Sequence, residues 1–576
     1  MKTRNPGAVQ LARTHCQIPR MNMMIDPFCI SRCQRTRLLA ALLAALLLTP
    51  TVHGLQSAGA ASAVAPLSAA EREAAERITA DQIRETTAAL TAADMQGRGT
   101  AQPGGDKAAR YLAERFSKLG LKPLGDNGTY LQAVKFKVYQ PQPPMAMQVD
   151  GEALKFGDDF VISPPYNGDH NVSGNLMFLS YGLRQDFNLL NLQGKIAVLI
   201  NGPPKGVDEA WWKKQDAQRL IISRIFQLGA AAIIITNGGT KENPYATIAR
   251  YMTRRYVAPE DRPEMPSTFP PFVLVSDAAA EQLFKGSGTT YAQAKAKADQ
   301  GQMAAQALKS TVKLAVRVKK EKGAGSNVIG LLEGADAKLK EEAIVYTAHY
   351  DAFGVEADGR IYPGAADNAL GVAQMLAVAE AFTRLRPRRS VIFMAVTGEE
   401  YGLLGTEYWT KHPTWKLQKI AADLNFDGLG TEVYGPVKRI VGFGAEHSEL
   451  GALLGQVAAA TGNLVVPDPM PDEKSFYRSD HYAFVKRGVP ALMLMGLPEM
   501  DKAALVARIK QWEQTDYHQP TDTIRPEWHW DGPRAIAAVG LLVGMRLAET
   551  DALPAWLPSS PFNQPRGTNK EPPPEQ

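Results

Sequence analysis

Five short stretches of this chain each hold a histidine or an acidic residue, and four of them flank strand-like runs. That pattern restricts the fold more than any other feature of the sequence. The stretches are "YTAHYDAFG" with His349 and Asp351, "GAADNALGVA" with Asp367, "VTGEEYGLLGTEYW" with Glu399 and Glu400, "ADLNFDGLG" with Asp427, and "TDYHQPTDT" with Tyr517 and His518. The runs "EAIVYTA" and "RSVIFMAV" are mostly apolar and β-branched, as expected of strands covered on both faces. Such strands deliver the residues at their carboxyl ends into the crevice where open α/β sheets bind ligands. From Asn327 onward, strand-like and helix-like segments alternate, which predicts an α/β fold with a largely parallel sheet.

The residue types at these ends are those of a metal centre. A co-catalytic zinc pair needs about five nitrogen or oxygen donors, one carboxylate shared by both ions, and a free acid/base. His349, Asp367, Glu400, Asp427 and His518 supply the donors, and Glu399 is left over. His349 and Asp351 stand at i and i+2 on a strand and face the same side. Asp351 is therefore placed to accept the second imidazole N–H and fix the tautomer. Each position has a plainer reading: a polar strand end for His349, a helix cap for Asp367, a solvated acidic loop for Glu399-Glu400. The ordered set is what singles them out.

Composition narrows the partners and the compartment. The formal net charge is +5, but the first 63 residues carry seven Lys and Arg against Asp26 alone, which leaves the remainder at −1. A near-neutral body gives no electrostatic reason to expect nucleic acid. The basic stretch ending at Arg37 runs into "LLAALLAALLL" (Leu38 to Leu48) and then small residues near Ala60 and Ala63, the layout of an export signal. Eleven apolar residues are too few for a bilayer span, which takes about 20. The expectation is a cleaved leader over 1–63, no stable membrane anchor, and a periplasmic or secreted protein of bacterial type. Cys16, Cys29 and Cys33 all lie in that leader, so His and carboxylates must carry any metal.

These motifs, together with "FYRSDHYAFVKRGVPAL", resemble the M28 family of zinc metallopeptidases, over about residues 95 to 550. The resemblance implies an α/β/α sandwich with a central mixed sheet and an inserted, β-rich protease-associated unit. On that basis the divisions are a signal peptide (1–63), an N-terminal part of the peptidase domain (67–134), the insertion (135–310), the catalytic domain (311–553) and a Pro-rich tail (554–576) whose end is expected to be disordered. Two Zn²⁺ ions are implied, bridged by Asp367. His349 and Asp427 complete one site, and Glu400 and His518 the other. Glu399 falls on the general base, Tyr517 is either an oxyanion donor or simple packing, and the bond after Asp367 is expected to be cis. His481 is read as a group hydrogen-bonding to the ligands. The implied activity is removal of terminal residues from peptides, most readily an aminopeptidase. A one-metal glutaminyl cyclase-like acyltransferase and a non-catalytic receptor-like relative are the alternatives.

Overall fold

The structure, a computed structural model, describes residues 66–570 apart from 164–167, 184–189, 240–243, 265, 267–268 and 429. The expected leader over 1–63 lies outside the described residues, as does the very end of the tail, 571–576.

The architecture is mixed α/β, built on two large sheets. Ten strands form the first. At its centre, Ala343–His349 runs parallel to both Ser390–Val396 and Ile420–Phe426, and Ile420–Phe426 runs parallel to Ala491–Pro498. Every residue of the first three is buried, which accounts for their unbroken apolar character. Antiparallel strands complete both flanks, Val318–Leu332 beside Ser390–Val396 and Val437–Phe443 beside Ala491–Pro498.

Helices cover both faces of this sheet. One layer contains Pro103–Lys118, Leu370–Phe382 and Asp531–Glu549. Ala108, Leu112 and Phe116 line the buried stripe of the first, as their spacing predicts. The opposite face carries Trp409, Phe484, Leu505 and Ile509. Full burial of one such side chain contributes about 1.5–3 kcal/mol relative to exposure. The tail joins this layer, because Trp556 and Phe562 are buried in it. The charged segment 67–94, which reads as a single helix, is two: Ala69–Glu76 and Ala80–Leu90. A capping box on Thr79 and Gln82 starts the second and interrupts the helical run.

The second sheet has eight strands, from Ala146–Val149 to Gln306–Val316, with helices between them. It does not coincide with the 135–310 span expected for an insertion. Leu131–Pro141 belongs to the first sheet, pairing with Val318–Leu332. Tyr256–Pro259 crosses back from the second unit to pair with Leu131–Pro141 as an edge strand. That excursion carries Tyr251 to Arg255 to the carboxyl ends of the central strands.

Candidate metal centre

His349 is the last residue of its strand, and its register partner on the neighbouring strand is Val396, three residues before Glu399. Asp427 follows the strand Ile420–Phe426 directly. Glu399 and Glu400 open a short turn, Glu399–Tyr401, behind Gly398. Asp367 lies in the loop 363–369 that leads into the helix Leu370–Phe382, and His518 follows the helix Lys502–Thr515. The sheet thus brings together residues separated by up to 169 positions, counting from His349 to His518.

The donor atoms form two groups that share one carboxylate. His349 Nε2 lies 3.3 Å from Asp367 Oδ1 and 3.5 Å from Asp427 Oδ1. His518 Nε2 lies 3.1 Å from Asp367 Oδ2 and 2.9 Å from Glu400 Oε2. The two oxygens of Asp367 therefore face different imidazoles. Glu399 belongs to neither group, and its Oε2 stands 3.9 Å from His349 Nε2.

The chemistry of the set fits metal ions. Metal–donor bonds of about 2.0–2.1 Å in tetrahedral geometry put neighbouring donors about 3.3 Å apart, close to the separations above. His349 Nε2 is buried, has no hydrogen-bond partner among the described residues and faces acidic groups. A buried polar atom is normally paired or coordinates a metal. Electrostatics agree. Burial works against a charged imidazole at His349, yet Glu399 and Asp427 raise its pKa well above the ordinary value. At His518 burial is likewise outweighed, chiefly by Glu400. The field that draws a proton to each ring draws a cation equally. Burial raises Glu399 well above the usual carboxylate range, and His349 partly offsets it. Burial also raises Glu400, to about 7, against the pull of His518.

Several positions depart from the sequence reading. The nearest acceptor to His349 Nδ1 is the main-chain oxygen of Asp351 at 3.1 Å, while its carboxylate stands off at 3.7 Å. That carboxylate instead accepts from Thr100 Oγ1 at 2.8 Å and from the Glu399 N–H at 3.2 Å, so it positions Glu399. Asp367 does not cap its helix: Asn368 Oδ1 accepts from Gly371 N–H at 3.1 Å. The Asp367–Asn368 peptide, by contrast, is cis as the resemblance implies. The Tyr517 ring stacks on His518 with centroids 3.7 Å apart, and its hydroxyl accepts from Arg478 Nη2 at 3.3 Å. His481 is fully buried and hydrogen-bonds to none of the candidate ligands, and burial lowers its pKa to about 3.

Sequence reasoning missed Arg98, Thr100 and Asp522. Arg98 is wholly buried and donates to the carbonyls of Tyr350 (2.6 Å), Leu90 (2.9 Å), Pro363 (2.6 Å) and Gly364 (2.8 Å). Burial lowers its pKa to about 10, so it stays charged at neutral pH. Asp522 accepts from the N–H groups of Ala366 at 2.9 Å and Asp367 at 3.1 Å. Together they grip the Asp367 loop from both sides. Gly364 turns that loop at φ +57, and a Cβ there would meet the Asp367 carbonyl at 2.4 Å. The only sequence signals were "GRGT" before a helix and the carboxylate four residues after His518.

The chain is similar to known proteins over parts of its length. Residues 327–543 match Peptidase family M28, a span that holds all six acidic and imidazole side chains of the cluster. Leucine aminopeptidase 2 of Arthroderma otae is 30% identical over 226 residues, 38% of this chain and 43% of that protein. A vacuolar membrane protease of Candida albicans is 34% identical over 109 residues, 18% of this chain and 11% of that protein. The chain thus aligns with less than half the length of these curated relatives. Among solved structures, an aminopeptidase from Aneurinibacillus sp. strain AM-1 superposes with a TM-score of 0.54 at 19% identity, covering 82% of this chain and 95% of that one. A zinc aminopeptidase from Bacillus subtilis gives 0.50 at 18%, covering 86% and 99%. At such identities the likeness is one of fold.

Proposed function

We propose, from the premise that residues 327–543 belong to Peptidase family M28, that this chain is an exported, zinc-dependent exopeptidase that removes the amino-terminal residue of peptides. The observation that carries the reading is Asp367, whose two carboxylate oxygens face His349 and His518 separately. His349, Asp427 and Asp367 would hold one ion, and His518, Glu400 and Asp367 the other. The named relatives support the aminopeptidase reading, and the Bacillus subtilis structure supports zinc. Among the described residues no helix is long and apolar enough to cross a membrane. The second sheet is the unit we read as a protease-associated insertion.

When bound, a zinc pair polarises the scissile carbonyl and makes water acidic enough to be deprotonated near neutral pH. The remaining work belongs to the chain. Glu399 Oε takes the proton of the attacking water as its oxygen bonds to the carbonyl carbon, then delivers that proton to the amine nitrogen as the C–N bond breaks. Asp351 holds Glu399 in place through its main-chain N–H. Arg98 and Asp522 keep the Asp367 loop from relaxing once its charge is engaged. Tyr517, stacked on His518, would donate its hydroxyl proton to the developing oxyanion.

The test is a panel of aminoacyl-anilides and C-terminally protected dipeptides, assayed with and without a chelator, alongside the zinc content of the purified protein. The reading expects two zincs per chain, release of a free amino acid, and loss of that release on chelation. Turnover that survives complete zinc removal would sink it.

A further inference from the structure

The two imidazoles of the centre are supported from different parts of the chain. His349 Nδ1 is met from within its own motif, by the Asp351 main-chain oxygen. His518 Nδ1 is met from the second unit. The helix Tyr245–Met252 brings Tyr251 Oη to 2.8 Å from His518 Nδ1. Arg254, just beyond that helix, donates from Nη2 to the His518 carbonyl at 2.7 Å.

Arg254 is anchored for this task. It is 4% exposed, and its guanidinium carbon lies 4.2 Å from the Phe353 ring centroid, 4.5 Å from Tyr362 and 5.1 Å from Tyr251. Its Nε and Nη1 have no hydrogen-bond acceptor among the described residues, where ring faces hold the cation. Phe353 also packs against the His518 ring, with centroids 4.7 Å apart. His518 itself sits at φ +56, a left-handed conformation that costs a non-glycine residue on the order of 1 kcal/mol or more. Such a residue holds its place only if its surroundings fix it, and here both its ring and its carbonyl are fixed from the second unit.

The chemistry of the ring completes the case. An imidazole that gives its Nε2 lone pair to a metal carries its proton on Nδ1, and that N–H needs an acceptor. His518 Nε2 faces Asp367 and Glu400, and Tyr251 Oη is the oxygen facing Nδ1. We infer that Tyr251 is a positioning residue of the metal centre: it accepts the His518 Nδ1–H, fixes the metal-binding tautomer, and makes the second unit part of one ion's site. The inference rests on the two-ion reading above, and it makes the ions unequal. The Nδ1 of His349 is met from within the segment that matches M28, whereas that of His518 is met by a side chain that the match, beginning at 327, does not include.

The test uses Tyr251→Phe in the full-length protein, loaded with zinc and titrated with a chromogenic chelator. Phe keeps the ring and removes only the acceptor oxygen, at a side chain that is 40% exposed. Glu400→Gln and Asp427→Asn, titrated in parallel, identify which chelation phase belongs to which ion. Tyr251→Phe should give up the ion that Glu400→Gln also weakens about 10- to 100-fold more readily than wild type. The ion marked by Asp427→Asn should be unmoved, and so should the thermal midpoint of the metal-free protein. Both ions held as tightly as in wild type would overturn the inference. Both loosened equally would overturn it too, since that is the signature of a packing role. A wild-type protein that never binds two zincs would overturn the two-ion reading itself and this inference with it.

Discussion

Glu432 offers a measurement that separates the energetics of this fold from its chemistry. It is 1% exposed, with Oε1 accepting from Gln374 Nε2 at 3.2 Å and Oε2 without a hydrogen-bond partner among the described residues. Burial lifts its pKa from the ordinary 4.5 to about 7. Between those values the folded protein keeps a proton that the unfolded chain has released. Stability must then fall as pH rises through that window, with the cost absent below it and complete above it. The span corresponds to on the order of 3 kcal/mol at pH 8 and less than about 1 kcal/mol at pH 5. Glu432→Gln replaces the carboxyl with a neutral group of the same shape that cannot ionise. Its advantage over wild type should therefore be small at pH 5 and roughly 3 kcal/mol at pH 8. Urea unfolding of the metal-free protein at both pH values, at matched ionic strength and compared at a common m, reads the difference. Chelator must be present throughout, because metal binding carries its own pH dependence. An advantage equal at the two pH values would refute the reasoning, as would a loss at pH 8.

Glu399→Gln should retain zinc as wild type does while turnover falls by about 10²–10⁴; near wild-type kcat with full zinc would remove Glu399 as the base. Asp367→Ala should lower occupancy at both ion positions in a metal-content measurement, because its two oxygens serve different imidazoles. Loss of one ion with the other intact would contradict the shared role. Arg98→Met leaves four main-chain carbonyls without their donor and removes a buried cation that interacts electrostatically with Asp522. Thermal unfolding should show a loss of roughly 3–5 kcal/mol, accompanied by weaker zinc retention, and a variant as stable as wild type would show that the guanidinium is dispensable.

The central strands and the six clustered side chains were legible in the sequence for a physical reason. Strands buried on both faces leave an unbroken apolar signature, and the ordered set of carboxylates and imidazoles around them, more than any single one, marks the cluster. The supports were not legible. Arg98 and Thr100 act through main-chain carbonyls and a single hydroxyl, in a segment whose glycines read only as the entrance to a helix. Asp351 illustrates how far spacing can be trusted. Its i, i+2 relation to His349 put the right residue beside the ring, but the turn after the strand presents the carbonyl to Nδ1 and sends the carboxylate to Thr100 and Glu399. Leu131–Pro141 alternates like a strand of any sheet, and its pairing with Val318–Leu332 is a long-range property that the sequence near 135 does not carry.

The cluster also ties the two units together energetically. Asp367, Glu399, Glu400 and Asp427 crowd around two imidazoles, and the one wholly buried guanidinium nearby, Arg98, lies behind the Asp367 loop. Any ion that binds only the folded arrangement stabilises it by about 4 kcal/mol at a thousand times its Kd. That stabilisation falls on the loops that carry the ligands, and His518 is gripped by Tyr251 and Arg254 of the second unit. Coupling of this kind is reciprocal. If docking of the helix Tyr245–Met252 favours the metal-binding tautomer of His518, then the bound ion favours that docking to the same degree, and the metal becomes a fastener between the two sheets as well as a reagent.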